Sequence, residues 1–126
     1  MAKNEYLKKR VWAVYRISDG TKNVELMQRK FCQEFIDAKE NWTLTNEIEQ
    51  DVSEYSRPIE LSMKFILDAA KSNAVDIIFC FAYRFLSLRK HELALFAHIL
   101  DFYDVEVWSM SEGKYVHFLH NHVDCI

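Results

Sequence analysis

The groups in this chain best suited to chemistry are one hydroxyl and three guanidiniums. Ser18 opens the turn-forming triplet Ser18-Asp19-Gly20, and Arg16 stands two residues before it. Arg57 directly precedes Pro58, and Arg84 lies just beyond the apolar run 77–82. A hydroxyl ringed by arginines and approached by helix N-termini suits a phosphate and a serine nucleophile that attacks phosphorus. Arginine fits because its planar fork takes two phosphate oxygens and keeps its charge.

For these groups to meet, several segments must end on one edge of the molecule. Residues 11–17 are β-branched and aromatic, bounded by Arg10 and by turn residues, and predict a strand ending at Ser18. Over 23–40, Val24, Met27, Phe31, Phe35 and Ala38 fall on one face of a helix, with Asn23 as its N-cap. Residues 42–48 alternate weakly and predict a second strand running toward Asp51, diluted by Asn46, Glu47 and Glu49. Pro58 opens a second helix with Leu61, Phe65, Ile66 and Ala69 inward. The continuous apolar run 77–82 reads as a parallel strand covered on both faces, the centre of the sheet. A third helix over 91–104, with Leu93, Phe96, Ala97 and Leu100 inward, leads into a fourth strand at 105–108. The alternation predicts an α/β fold with a mainly parallel sheet of four or five strands and helices on both faces. In such sheets ligands bind beyond the carboxyl ends of the strands, the edge that receives Ser18, Asp51, Arg57 and Arg84.

Composition narrows the function classes. The 126 residues are 50% apolar and 28% charged, as expected of one globular domain over 1–126. The two glycines, Gly20 and Gly113, are far apart, which excludes a P-loop or a dinucleotide fingerprint. A net charge of -3 excludes a surface that is basic throughout, so any polyanion site is a local cluster. Cys32, Cys80 and Cys125 form no C-x-x-C pair and no disulfide framework, which fits a reducing, cytoplasmic setting. Cys32 and Cys80 read as core thiols, and no apolar stretch is long enough to span a bilayer.

At the candidate residues the sequence resembles the catalytic domain of serine site-specific recombinases, the resolvase and invertase family. Tyr15-Arg16-Ile17-Ser18 is similar to the family's opening strand with its close-set Tyr, Arg and nucleophilic Ser. Gln28-Arg29 resembles its helix-borne Gln-Arg, Asp51 its acidic loop, and Arg57-Pro58 its second helix start. Asp76-Ile77-Ile78 is similar to its Asp-Val-Val strand, and Arg84 to the first arginine of its Asp-Arg-Leu-x-Arg signature. The stretch 107–113 resembles the strand that closes the domain, so the likeness covers a core of about 10–113 and leaves 114–126 as a short tail.

The resemblance implies a resolvase-like three-layer fold and a reaction in which Ser18 attacks a DNA phosphodiester, freeing a 3′-hydroxyl and forming a 5′-phosphoserine linkage. It assigns Ser18, Arg16, Arg57 and Arg84 to catalysis, with Gln28, Asp51 and Arg89 in support, and needs no cofactor or metal. The chain also departs from the pattern. Tyr83 replaces the acid before Arg84, Ser87 the second arginine with Arg89 two positions on, and only 13 residues follow Gly113 where the family has a long helix and a DNA-binding domain. Weak, non-specific DNA binding is therefore expected, with a full-length recombinase or a second copy of the chain as partner. A catalytically degenerate domain acting through protein association is the alternative, and an unrelated flavodoxin-like binding domain a third.

Simpler readings stand beside these. Ser18 also fits a turn cap, and Arg16 and Arg84 fit strand-end arginines paired to Asp19 and Asp51. His117, His120, His122, Asp124 and Cys125 read as a solvated tail rather than a zinc site, and His98 as a partly buried packing residue. Lys8-Lys9-Arg10 forms a short basic patch within reach of a phosphate backbone, and the aromatics read as core.

Overall fold

A computed structural model describes residues 8–17, 22–51, 58–86 and 88–116; the side chains at 22, 51 and 58–61 are not among those described. Its elements run β1 (Lys9–Ile17), α1 (Lys22–Asp37), β2 (Trp42–Asp51), α2 (Pro58–Lys71), β3 (Ile77–Cys80), a 3-10 turn (Tyr83–Leu86), α3 (Lys90–Phe102), β4 (Glu106–Ser109) and β5 (Gly113–Lys114). The five strands form one sheet in the order β2-β1-β3-β4-β5. The first four are parallel and β5 returns antiparallel to β4, so the mainly parallel α/β fold expected from the sequence is observed.

Both faces of the sheet are buried. Val11, Ala13 and Tyr15 of β1 join Ile77 and Phe79 of β3 against Cys32 and Ile36 of α1. Trp12, Val14, Ile78 and Cys80 face the other way, onto Ile66, Ala69 and Ala70 of α2 and Phe96, Ala97 and Leu100 of α3. A period of two with apolar residues on both faces is what a central parallel strand requires.

The helix faces differ from the sequence expectation. In α1 the fully buried residues are Gln28, Cys32 and Ile36, four apart, whereas Val24, Met27, Phe31 and Ala38 are exposed and Phe35 is half-buried. The row with the most apolar side chains was displaced by one carrying a glutamine, because that glutamine has a partner in β1. Asn23 lies inside α1, which begins at Lys22, and is not its N-cap. Phe65 of α2 is exposed and stacks its ring 5.3 Å from that of Trp12; His98 is exposed rather than packed in the core.

The chain manages with so few glycines because other residues take the left-handed turns. Asn73 (φ 57°) and Asp104 (φ 62°) each sit two residues after the last helical position of α2 and α3. Around them Ala74 N–H donates to Ala69 O and Asn73 N–H to Ala70 O, while Val105 N–H donates to Leu100 O and Asp104 N–H to Asp101 O. Both helices thus end in the same Schellman motif, with the short polar side chains that best tolerate this conformation after glycine. Each motif delivers the chain into a core strand.

At the amino edge of the sheet Asp76 accepts from Arg10 N–H at 2.7 Å and from Arg10 Nε at 2.9 Å. Lys9 pairs with Glu106 at 3.1 Å. Two members of the expected basic patch are therefore committed to ion pairs, on the edge opposite the strand ends. The hydrogen bond from Arg10 holds the Asp76 carboxyl below its usual range. Asp76→Asn should lower stability at neutral pH by about 1 kcal/mol, since both side chains are about a third exposed to screening solvent. A carboxyl depressed on folding contributes above its unfolded value and loses that contribution as pH falls through its folded one. Melting curves of the two proteins should therefore draw together as pH falls through the lowered folded value of Asp76.

Candidate functional site at the carboxyl edge

The four parallel strands end together at Ile17, Asp51, Cys80 and Ser109. Arg16 is the penultimate residue of β1 and is half-buried; Val14 pairs with Cys80, so Arg16 stands level with the segment leading into the turn that carries Arg84. That 3-10 turn packs on β1, and the exposed Arg84 guanidinium lies 5.0 Å from the Phe85 ring centre. Asp51 is the last residue of β2, in register with Ile17. Arg16, Arg84 and the backbone of Asp51 thus share the edge expected for them. Ser18 and Arg57 lie outside the described residues, as does the histidine-bearing tail 117–126.

Gln28 fixes the end of β1. Its Oε1 accepts from Arg16 N–H at 2.8 Å and its Nε2 donates to Arg16 O at 2.7 Å. The side chain is fully buried, and this exchange of donor and acceptor imitates one rung of a β-ladder at the point where β1 runs out of neighbours on that side. Gln28→Leu would leave both backbone groups of Arg16 unpaired in the interior. It should destabilise the fold by about 2 kcal/mol in denaturant titrations, more than an exposed α1 residue such as Glu34 would when truncated.

Arg29, next to it, is spoken for. Its guanidinium lies 4.5 Å from the centre of the Tyr15 ring and bonds to Glu25 at 3.2 Å, Glu47 at 3.1 Å and the Glu49 carboxylate. Tyr15 Oη donates to Glu47 at 2.6 Å, and Gln33 Nε2 donates to it at 2.8 Å. Burial alone would push the Glu47 carboxyl up, but these donors and the Arg29 charge together hold it below its usual range. Burial and the Glu47 hydrogen bond push the Tyr15 phenol well up, so it stays protonated at neutral pH. Tyr15 and Arg29 therefore clamp β1, β2 and α1 together. Glu47, read from the sequence only as dilution of a strand pattern, is the hub of that clamp.

Tyr83 and Arg89 account for the departures from the recombinase pattern. Tyr83 Oη donates to Val107 O at 3.2 Å and to Gly113 O, which pins the β4–β5 turn. Arg89 is exposed at the start of α3, where its backbone N–H donates to Glu92 Oε1 at 2.8 Å. The two described thiols are structural: burial raises Cys32 to about 12 and raises Cys80 well above the usual thiol range. Among the described residues no cluster of three metal-ligating side chains occurs, and no helix is long and apolar enough to cross a membrane.

The fold is thus a mainly parallel sheet packed between one helix on one face and two on the other. Three solved structures share it. The N-terminal catalytic domain of TP901-1 integrase aligns with a TM-score of 0.66 at 16% identity, over 83% of this chain and 79% of that one. A resolvase family site-specific recombinase from Streptococcus pneumoniae aligns at 0.69 and 14% identity, over 84% of this chain and 74% of that one. The C-terminal catalytic domain of ISC1926 TnpA, an IS607-like serine recombinase, aligns at 0.65 and 11% identity, over 92% of this chain and 77% of that one. At these identities the likeness is one of fold. No protein-family model and no curated protein sequence matches the chain.

Proposed function

We propose that the chain is the catalytic domain of a serine recombinase, cutting and rejoining DNA through a transient 5′-phosphoserine linkage on Ser18. The observation that carries this reading is how the arginines divide. Arg10 and Arg29 are neutralised by carboxylates, whereas Arg16 and Arg84, at the carboxyl edge, have no ion-pair partner among the described residues. Guanidiniums that meet no carboxylate among the described residues, one of them two residues before a serine, suit an anionic substrate.

In this reaction Ser18 Oγ bonds to phosphorus as the bond to the 3′-oxygen breaks, and the proton lost by the serine ends on the departing 3′-hydroxyl. Negative charge grows on the non-bridging oxygens, which Arg16, Arg84 and Arg57 would neutralise more strongly in the transition state than in the ground state. Attack of a 3′-hydroxyl on the phosphoserine reverses the step. Joining to a different strand needs a second cut end and hence a second subunit, either another copy or a related recombinase.

End chemistry tests this. DNA cut by the chain at low salt should carry 3′ ends that terminal transferase extends and 5′ ends blocked until the protein is digested. Blocked 3′ ends, or free 5′-phosphates, would contradict it. The exposure of Arg89 and the structural use of Tyr83 favour a second reading, a degenerate domain acting through protein association. In that case the chain alone cuts nothing but alters cutting by an active recombinase mixed with it.

A further inference from the structure

Gln50 is the one side chain among the described residues whose buried polar atoms have no partner. Both Oε1 and Nε2 are shielded from solvent and unbonded, in a residue only 1% exposed. It is the penultimate residue of β2 and pairs in register with Arg16. A bulge at Thr45 sets its face: Leu44 pairs with Val11 but Asn46 pairs with Trp12, so Asn46, Ile48 and Gln50 share the α2 face with Trp12, Val14 and Arg16. The two side chains therefore leave the sheet on the same face from neighbouring strands, a spacing at which cross-strand pairs can interact.

Buried amides are almost always satisfied, so one with no partner within the chain is suited to bind a group from outside it. An arginine holding a phosphate presents an N–H donor and an anionic oxygen side by side. A primary amide is the complement, with one acceptor and two donors. We infer that Gln50 is a positioning residue for a phosphate at the carboxyl edge, its Oε1 accepting from the Arg16 guanidinium and its Nε2 donating to a phosphate oxygen. The inference rests on the assignment of Arg16 as a phosphate ligand and adds the residue that orients it.

The test is titration of the full chain with thymidylyl-thymidine, a minimal phosphodiester, followed by nitrogen-proton correlation spectra. The Gln50 side-chain amide signals should move with the same dissociation constant as the backbone signals around Arg16. Gln50→Leu keeps the volume and removes the unmet polar atoms, so it should melt higher than the parent yet bind the dinucleotide about tenfold more weakly. Gln50→Glu should bind more weakly still, because its carboxylate pairs with Arg16 and repels the phosphate. Unmoved Gln50 signals, or unchanged affinity in both variants, would overturn the inference. Arg16→Ala separates the two layers of the argument. If it leaves binding unchanged, the assignment of Arg16 fails; if it abolishes binding while Gln50→Leu does not weaken it, only the role of Gln50 fails.

Discussion

Ser18→Ala should abolish covalent attachment to DNA and reduce strand cutting by roughly a thousandfold or more, because no other group replaces a missing nucleophile. The melting temperature should stay within about 1 °C of the parent, as expected of a hydroxyl used for chemistry rather than for the fold. Ser18 follows the last residue of β1 directly, and β1 is held from behind by Gln28 whether or not the hydroxyl is present. Loss of cutting with an unchanged melting curve assigns the serine to chemistry. A fall of many degrees would assign it to capping the turn.

Arg16→Ala and Arg84→Ala should each slow cutting by about a hundredfold, the usual effect of removing one donor from a developing oxyanion. The double variant should fall short of the product of the two, because groups that neutralise the same charge act as a unit. Lysine should rescue Arg84, whose side chain is exposed, better than Arg16, whose fork would have to satisfy both an amide and a phosphate. By contrast Arg29→Ala should act mainly through stability, since its guanidinium already serves three carboxylates and the Tyr15 ring. A measured rate loss in Arg29→Ala larger than in Arg84→Ala would reverse this assignment.

The sheet was legible where both neighbours of a strand are strands. β1 and β3 are covered on both faces, so their apolar runs needed no register to be recognised. β2 was legible in position but not in pattern. Its extra residue at Thr45 moves the apolar positions Trp42 and Leu44 onto one face and Ile48 onto the other, and strict alternation cannot survive that shift. The same bulge concealed the site's neighbours, since it turns Glu47 toward Tyr15 and Arg29 and Gln50 toward the Arg16 face. In α1 apolar count misled for a related reason: Gln28 is buried by two backbone hydrogen bonds, an energy that hydrophobic spacing does not register. Arg16 and Arg84 were legible as edge residues because strand ends in a parallel sheet fix an edge, but which described carboxylates they meet depended on where Glu25, Glu47, Glu49 and Asp76 went.

The most direct measurement is the identity of the residue that carries DNA. Short duplexes of random sequence with 3′-bridging phosphorothiolate linkages would be incubated with the chain at low salt, since a thiol departs readily and rejoins poorly. After nuclease and trypsin digestion, cleavage after Arg16 and Lys22 isolates the six residues 17–22. The account predicts a nucleoside 5′-phosphate on that peptide, with fragmentation placing it on Ser18 rather than Thr21. An adduct on any other peptide, or thiol release with no adduct at all, would contradict it.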